Sequence, residues 1–114
     1  MQDLRHIDGG TTIEADVCIV GGGPAGIVAA SEFRYSGYDV VLLESGGRHA
    51  DAATQDLYRG TSTGHSYAPL HGVRLRFLGG TSNHWTGYVR QLRAQDFERR
   101  PWMSHSGWPI GLAE

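Results

Sequence analysis

The chain has a single cysteine, Cys18, so no disulfide can brace it internally. It also lacks any basic excess: 10 Lys and Arg stand against 12 Asp and Glu, a net charge of −2 with the histidines neutral. Nucleic-acid binding driven by phosphate neutralisation needs a basic stripe, so that class of partner is excluded. No apolar run approaches the roughly 20 residues that span a bilayer, and the polar stretch 1–14 holds no signal-peptide core. The expectation is a reducing, cytoplasmic setting with no membrane-spanning segment. Internal repeats and low-complexity runs are missing as well. His49, His65 and His71 follow no ligand spacing and have no thiolate or carboxylate close by, so no metal is expected.

Glycine is abundant by contrast, with 17 residues in 114, roughly twice ordinary usage. The most informative cluster ends the run Asp16-Val17-Cys18-Ile19-Val20-Gly21-Gly22-Gly23-Pro24-Ala25-Gly26. Residues 16–20 are short, apolar and rich in β-branched side chains, the pattern of a buried parallel strand, with Cys18 as a small buried hydrophobe. Gly21, Gly23 and Gly26 fit the GxGxxG spacing. The first permits a sharp turn, the second lets a pyrophosphate approach the backbone, and the third lets a helix lie close to the sheet. Ala29, Ala30 and Phe33 continue an apolar helical face to Gly37, placed to end the helix in a left-handed conformation. A helix starting here, with Pro24 and Ala25 in its first turn, presents unpaired N–H groups and a positive dipole end to phosphate.

A second apolar run, Val40-Val41-Leu42-Leu43, ends at Glu44, 18 residues after Gly26. That offset suits a carboxylate that accepts two ribose hydroxyls and repels a 2′-phosphate. Strand, helix, strand and acid in register predict a Rossmann-like βαβ unit for an adenine dinucleotide, either FAD or NAD. Ser45-Gly46-Gly47 either keeps the backbone bare beside the ribose or is an ordinary turn.

Beyond the βαβ unit, Gly9-Gly10 suggests a turn, and Asp51 a cap for a short helix stopped by Gly60. Residues 61–72 read as an irregular cover over the dinucleotide. Residues 73–78 alternate apolar and basic side chains, as a half-exposed strand does. The next nine residues, Gly79-Gly80-Thr81-Ser82-Asn83-His84-Trp85-Thr86-Gly87, form a loop dense in donors. They suit the rim of a planar polar ring, or equally a structural turn with Trp85 packed. Residues 88–93 are read as a short strand and 96–100 as a helical turn ended by Pro101. Two parallel strands do not complete a doubly wound sheet, so residues 1–114 are read as the N-terminal portion of an FAD-binding domain. Its sheet is expected to be incomplete, and the substrate domain and C-terminal catalytic part to lie elsewhere.

The segments VCIVGGGPAGIVAA, VVLLESGG, LRFLGGTSNHWTGYVRQLRAQDFERRPW and SGWPI together resemble the glucose-methanol-choline (GMC) oxidoreductases, in particular their pyranose-oxidase-like and bacterial sugar or polyol dehydrogenase branch. The resemblance covers nearly the whole chain and implies FAD, with the pyrophosphate at the first glycine cluster and the ribose at Glu44 and Ser45. It also implies a second flavin motif of Arg76, Gly79, Gly80, Thr81 and Ser82 beside the isoalloxazine, with Asn83, His84, Trp85 and Thr86 against the ring. In pyranose-oxidase-like members the histidine of a His-Trp-Thr triplet is joined to the flavin 8α carbon and the threonine lies near N5. His84 and Thr86 hold those positions here. The implied activity is oxidation of a CH–OH group in a sugar, polyol or other alcohol by hydride transfer to flavin N5. The family's catalytic base belongs to its C-terminal part, so no residue of this chain is assigned that role. Two other readings stand beside it: a flavin-binding fragment or subunit without activity of its own, and an NAD-binding Rossmann module.

Overall fold

The computed structural model describes residues 1–113; Glu114, the last residue of the expected span, lies outside them. The element order opens with a 3₁₀ turn, Leu4–His6, followed by β1 (Val17–Val20), α1 (Pro24–Glu32) and β2 (Val40–Leu43). Three one-turn helices come after: α2 (Ala52–Asp56), α3 (Leu70–Val73) and α4 (Ala94–Phe97), with a 3₁₀ turn, Gly80–His84, between the last two. Strands β1 and β2 pair in parallel, Val17 against Val40 through Val20 against Leu43. α1 is the crossover between them. This is the expected α/β, Rossmann-like βαβ core, with a sheet of two strands among the described residues.

Local chemistry explains where the elements begin and end. The ladder is closed at its start by Asp16 and Asp39: the Asp16 N–H donates to the Asp39 carbonyl at 2.9 Å, and the Asp39 N–H to the Asp16 carboxylate at 2.9 Å. At the other end, Gly21 N–H donates to the Leu43 carbonyl at 2.7 Å, extending the pairing one residue into the glycine corner. α1 starts with Pro24 at its first position, where the missing N–H costs nothing. It ends at Glu32, short of the expected Gly37. From there the chain makes i→i+3 turns, Arg34 to Ser31 and Ser36 to Phe33, before Gly37 takes the expected positive φ of 81°. Asp51 caps α2 as expected, its carboxylate accepting from the Thr54 N–H at 2.8 Å and from the Thr54 hydroxyl at 2.6 Å. The turn at Gly9-Gly10 is present, with Thr11 N–H reaching the Asp8 carbonyl. α2 closes at Asp56 through its own i→i+3 turns, so Gly60 is not its stop signal.

Two expected strands are absent. Residues 73–78 are not a strand: Val73 ends α3, Arg74 is extended, and 74–76 have no neighbouring strand among the described residues. Side chains take the edge positions instead. The Gln55 amide donates to the Arg74 carbonyl and accepts from the Arg76 N–H on one edge, while the Thr81 hydroxyl accepts from Leu75 N–H, at 3.4 Å, on the other. Residues 88–93 are also irregular. The helical turn expected at 96–100 lies at 94–97, with Asp96 as its third residue: the Asp96 carboxylate reaches back to accept from the Arg93 N–H at 2.8 Å.

Burial corrects the sequence reading further. β1 is not buried, Cys18 is exposed, and Val20 is 81% exposed. Ala29 is exposed on α1 and Trp85 is exposed beyond the second glycine pair. The cause is that α1 covers one sheet face, while Cys18, Val20 and Leu43 on the opposite face have no full layer over them. Accessible surface is 9853 Å², against roughly 6,100 Å² for a compact monomer of this mass. The radius of gyration is 18.0 Å, where a compact domain of this length gives about 13 Å. Among the described residues, only Gly22 and Gly80 are buried. The interior of this structure is therefore a junction of backbone, not a cluster of apolar side chains.

That junction depends on the absence of Cβ atoms. A Cβ on Gly26 would lie 1.9 Å from the Gly21 carbonyl oxygen, so α1 sits against the end of β1 because residue 26 is glycine. A Cβ on Gly46 would lie 2.0 Å from the Arg76 carbonyl oxygen, whereas one on Gly47 would meet nothing nearer than 3.9 Å. Overpacking of about 1–3 kcal/mol is expected for Gly46→Ala. It should speed amide exchange at Leu78, whose N–H donates to the Gly47 carbonyl at 3.0 Å, by roughly tenfold or more. Gly47→Ala should leave that rate unchanged. Equal exchange in the two variants would contradict this packing.

Candidate functional site

Three glycine-rich turns converge beside the C-terminal ends of β1 and β2. The first, residues 21–23, links β1 to α1. The second, 45–47, follows β2. The third, 79–80, follows residues 74–78. Gly79 N–H donates to the Gly22 carbonyl at 2.7 Å, and Leu78 N–H to the Gly47 carbonyl at 3.0 Å. A Cβ on Gly80 would stand 3.1 Å from the Gly23 Cα. The site is thus made of main chain crossing main chain at van der Waals distance.

Glu44 joins the first two turns. One carboxylate oxygen accepts from Gly22 N–H at 2.7 Å; the other accepts from Gly46 N–H at 2.8 Å and from the Ser45 hydroxyl at 3.3 Å. A carboxylate offers about four lone-pair directions and three are used here, so capacity remains for one ribose hydroxyl.

The first corner has the features of an anion cradle. Gly23 caps α1 with no side chain bonded to the helix end, and the space where its Cβ would be is open. The opening N–H groups of any helix lack intrahelical partners, so those of Ala25 and Gly26 are left for an anion at the head of α1. Gly21 makes the turn with φ 107°.

In the third turn, side chains fold back onto their own backbone. Ser82 donates to the Gly79 carbonyl at 2.6 Å, and the Asn83 amide donates to the carbonyls of Leu78 and Gly80 at 3.0 and 2.9 Å. Thr81 reaches Leu75. Gly79 has φ 91°, a conformation that a side chain would strain, and no side chain caps the 3₁₀ turn that it opens. His84 is the last residue of this 3₁₀ turn, Trp85 and Thr86 follow it, and all three are exposed. Arg76 stacks over Tyr58, its guanidinium carbon 4.9 Å from the ring centroid, and its buried Nε has no hydrogen-bond partner among the described residues.

The expected site residues therefore fall into two groups. Gly21, Gly23, Pro24, Ala25, Gly26, Glu44, Ser45, Gly79, Gly80, Thr81, Ser82 and Asn83 surround the junction, with the Arg76 main chain packed on Gly46. His84 and Thr86 stand outside it. Sequence reasoning placed the two glycine motifs at opposite ends of the cofactor, but here they touch. Gly22 and Gln55 escaped notice. Gly22 sits between two motif glycines, so its own role was masked, and a lone glutamine on a short helix carries no sequence signal.

Residues 14–62 match the family model of the FAD binding domain. The dinucleotide is FAD. The match covers β1, α1, β2, Glu44 and α2, the elements that build the first corner and its acid. It decides between the two cofactors that the βαβ pattern left open. Among curated proteins, polyamine oxidase 5 of Oryza sativa subsp. japonica is 37% identical over 70 residues. Those residues are 61% of this chain, which spans 14% of the relative's length. No solved structure matches the chain. Among the described residues, no helix is long and apolar enough to cross a membrane.

The geometry gives Glu44 a measurable structural role. Glu44→Gln keeps one acceptor oxygen but turns an NH₂ group toward a backbone N–H, leaving Gly22 or Gly46 unpaired. Hydrogen bonds to charged groups contribute about 1.5–3 kcal/mol, so exchange at one of these two amides should rise by roughly tenfold or more. Unchanged protection at both would show that the carboxylate is not the tie between the turns.

Proposed function

We propose that this chain supplies the N-terminal FAD-binding part of a flavin-dependent oxidoreductase of the GMC type, acting on a CH–OH donor. The observation that carries the reading is the Gly79-to-Gly22 hydrogen bond, which brings the second glycine motif onto the first. The FAD binding domain model ends at residue 62, so the sequence of the second motif, GGTSNHWT, supports the finer assignment. On this reading the first corner and the start of α1 hold the diphosphate through backbone N–H groups, and Glu44 with Ser45 holds the ribose. Gly79 and Gly80, in contact with Gly22 and Gly23, belong to the diphosphate region rather than to the ring. The ring contacts fall to the exposed segment that follows, His84 to Thr86.

Bound FAD supplies a two-electron acceptor for a hydride leaving the donor carbon. The chain's own contribution is binding and orientation. The N–H groups at the start of α1 would receive the phosphates, while Ser82 and Asn83 hydrogen-bond the carbonyls of Leu78, Gly79 and Gly80 and hold the loop in shape. No side chain of the junction is assigned the proton-accepting role, so the chain alone is expected to hold flavin without turning over substrate. His84 is the candidate for covalent attachment to the flavin 8α carbon, and Thr86 for a hydrogen bond that tunes N5.

A second donor class is favoured by one finding, the similarity to a polyamine oxidase. An amine donor would use the same cofactor half. The test is anaerobic reduction, with a panel of sugars, polyols and polyamines, of the FAD-loaded protein that carries this chain together with its substrate and catalytic parts. Bleaching of the flavin by an alcohol and not by an amine is the expected result; bleaching by polyamines alone would overturn the alcohol assignment.

Two further outcomes check the residue roles. Gly23→Leu fills the open space at the head of α1 and should abolish FAD retention, read from the flavin absorbance of purified protein. Undiminished colour would count against placing the diphosphate there. Acid precipitation tests His84: colour retained in the pellet, and lost from it in His84→Ala, is the result expected of a covalent bond. Colour wholly in the supernatant of the parent protein would contradict it.

A further inference from the structure

We infer that Gln55 is a positioning residue for the cofactor junction, acting as a one-residue substitute for a missing parallel strand. This rests on the reading of the second glycine turn as part of the FAD site. The Gln55 Nε2 donates to the carbonyls of His71, at 2.8 Å, and Arg74, while its Oε1 accepts from the Arg76 N–H at 3.0 Å. The neighbour of a parallel strand bonds a carbonyl and the N–H two residues later, which flank one residue of its partner. A carboxamide carries the same acceptor and donor pair as a peptide group, and here it brackets Leu75 in that pattern. Its orientation is fixed by the partners, two carbonyls on the nitrogen side and one N–H on the oxygen side.

The consequence reaches the site along five residues. Arg76, held by Gln55, rests its carbonyl on Gly46 at a distance that excludes a Cβ. Leu78 then bonds Gly47, and Gly79 bonds Gly22. Residues 74–78 have no strand beside them to set their register, and α3 touches neither strand of the sheet closely. Gln55 is half-buried and sits on α2, whose start is fixed separately by the Asp51 cap. The register with which the second glycine turn meets the first is therefore held by one side-chain amide some twenty residues upstream, with the longer Thr81 contact to Leu75 on the opposite edge. Removing it leaves two carbonyls and one N–H without partners.

The test compares three variants of the purified protein by FAD affinity and by amide exchange at Arg76. Gln55→Met keeps side-chain length and bulk but removes the amide. Gln55→Glu keeps an acceptor for Arg76 and presents a negative carboxylate to two carbonyl oxygens. Asp51→Ala weakens the same helix without touching residues 71–76. Loss of a buried polar partner should weaken FAD binding about ten- to hundredfold in Gln55→Met and Gln55→Glu, with faster exchange at Arg76. Asp51→Ala should change neither by more than about twofold on the same scale. A parent that holds FAD and a Gln55→Met variant that holds it equally well would overturn the proposal alone. An equal loss in Asp51→Ala would also overturn it, by showing that helix stability matters rather than the amide. A parent that holds no FAD would overturn the cofactor reading, and this inference with it.

Discussion

The hydrogen bond from Gly79 N–H to the Gly22 carbonyl is the constraint on which the rest of the structure turns. It joins two stretches separated by more than fifty residues, and its surroundings include the two buried residues, Gly22 and Gly80. Peptide groups pay nothing in side-chain entropy when they are brought together, and glycine allows them to approach without a Cβ between them. The cost is backbone freedom, which is largest for glycine. Three glycine turns crossing at one place therefore make a junction that side chains would hold apart. On the proposed reading a diphosphate sits beside it, at the N–H groups that open α1, and leaves little for side chains to do.

The surrounding contacts support this view. Glu44 ties the first turn to the second, Ser82 and Asn83 hold the third turn in shape, and Gln55 fixes the run that leads to it. These side chains are polar, but most of their hydrogen bonds go to main chain. Apolar packing is minor by comparison, because α1 covers one sheet face while several large side chains on other faces stay open to solvent. The structure is a binding surface held by backbone and polar ties, and the chemistry that a flavin performs needs donor-facing groups beyond it.

Much of the βαβ unit was legible in the sequence. The apolar runs at 17–20 and 40–43, the glycine spacing and the acid after the second run each correspond to a local rule, and those rules do not depend on distant parts of the chain. The Asp51 cap was legible for the same reason. Burial was not, since a strand's apolar composition says what it can pack against and not whether that partner is present. Alternation at residues 73–78 suggested a strand, but the run leaves α3 at Val73, is extended at Arg74 and turns again at 77–79. What pattern could not reveal was that side chains of Gln55 and Thr81, rather than strands, occupy its two edges. The contact between the glycine motifs was equally hidden, because it joins positions whose separation in sequence carries no periodic signal.

The central claim is that both glycine turns face one cofactor at its diphosphate. Amide exchange measured with and without FAD tests it residue by residue. The account predicts that FAD slows exchange at Ala25 and Gly26 and, in the same titration, at Thr81 and Ser82. Slowing at the first pair, with the second pair unchanged at saturating FAD, would contradict it.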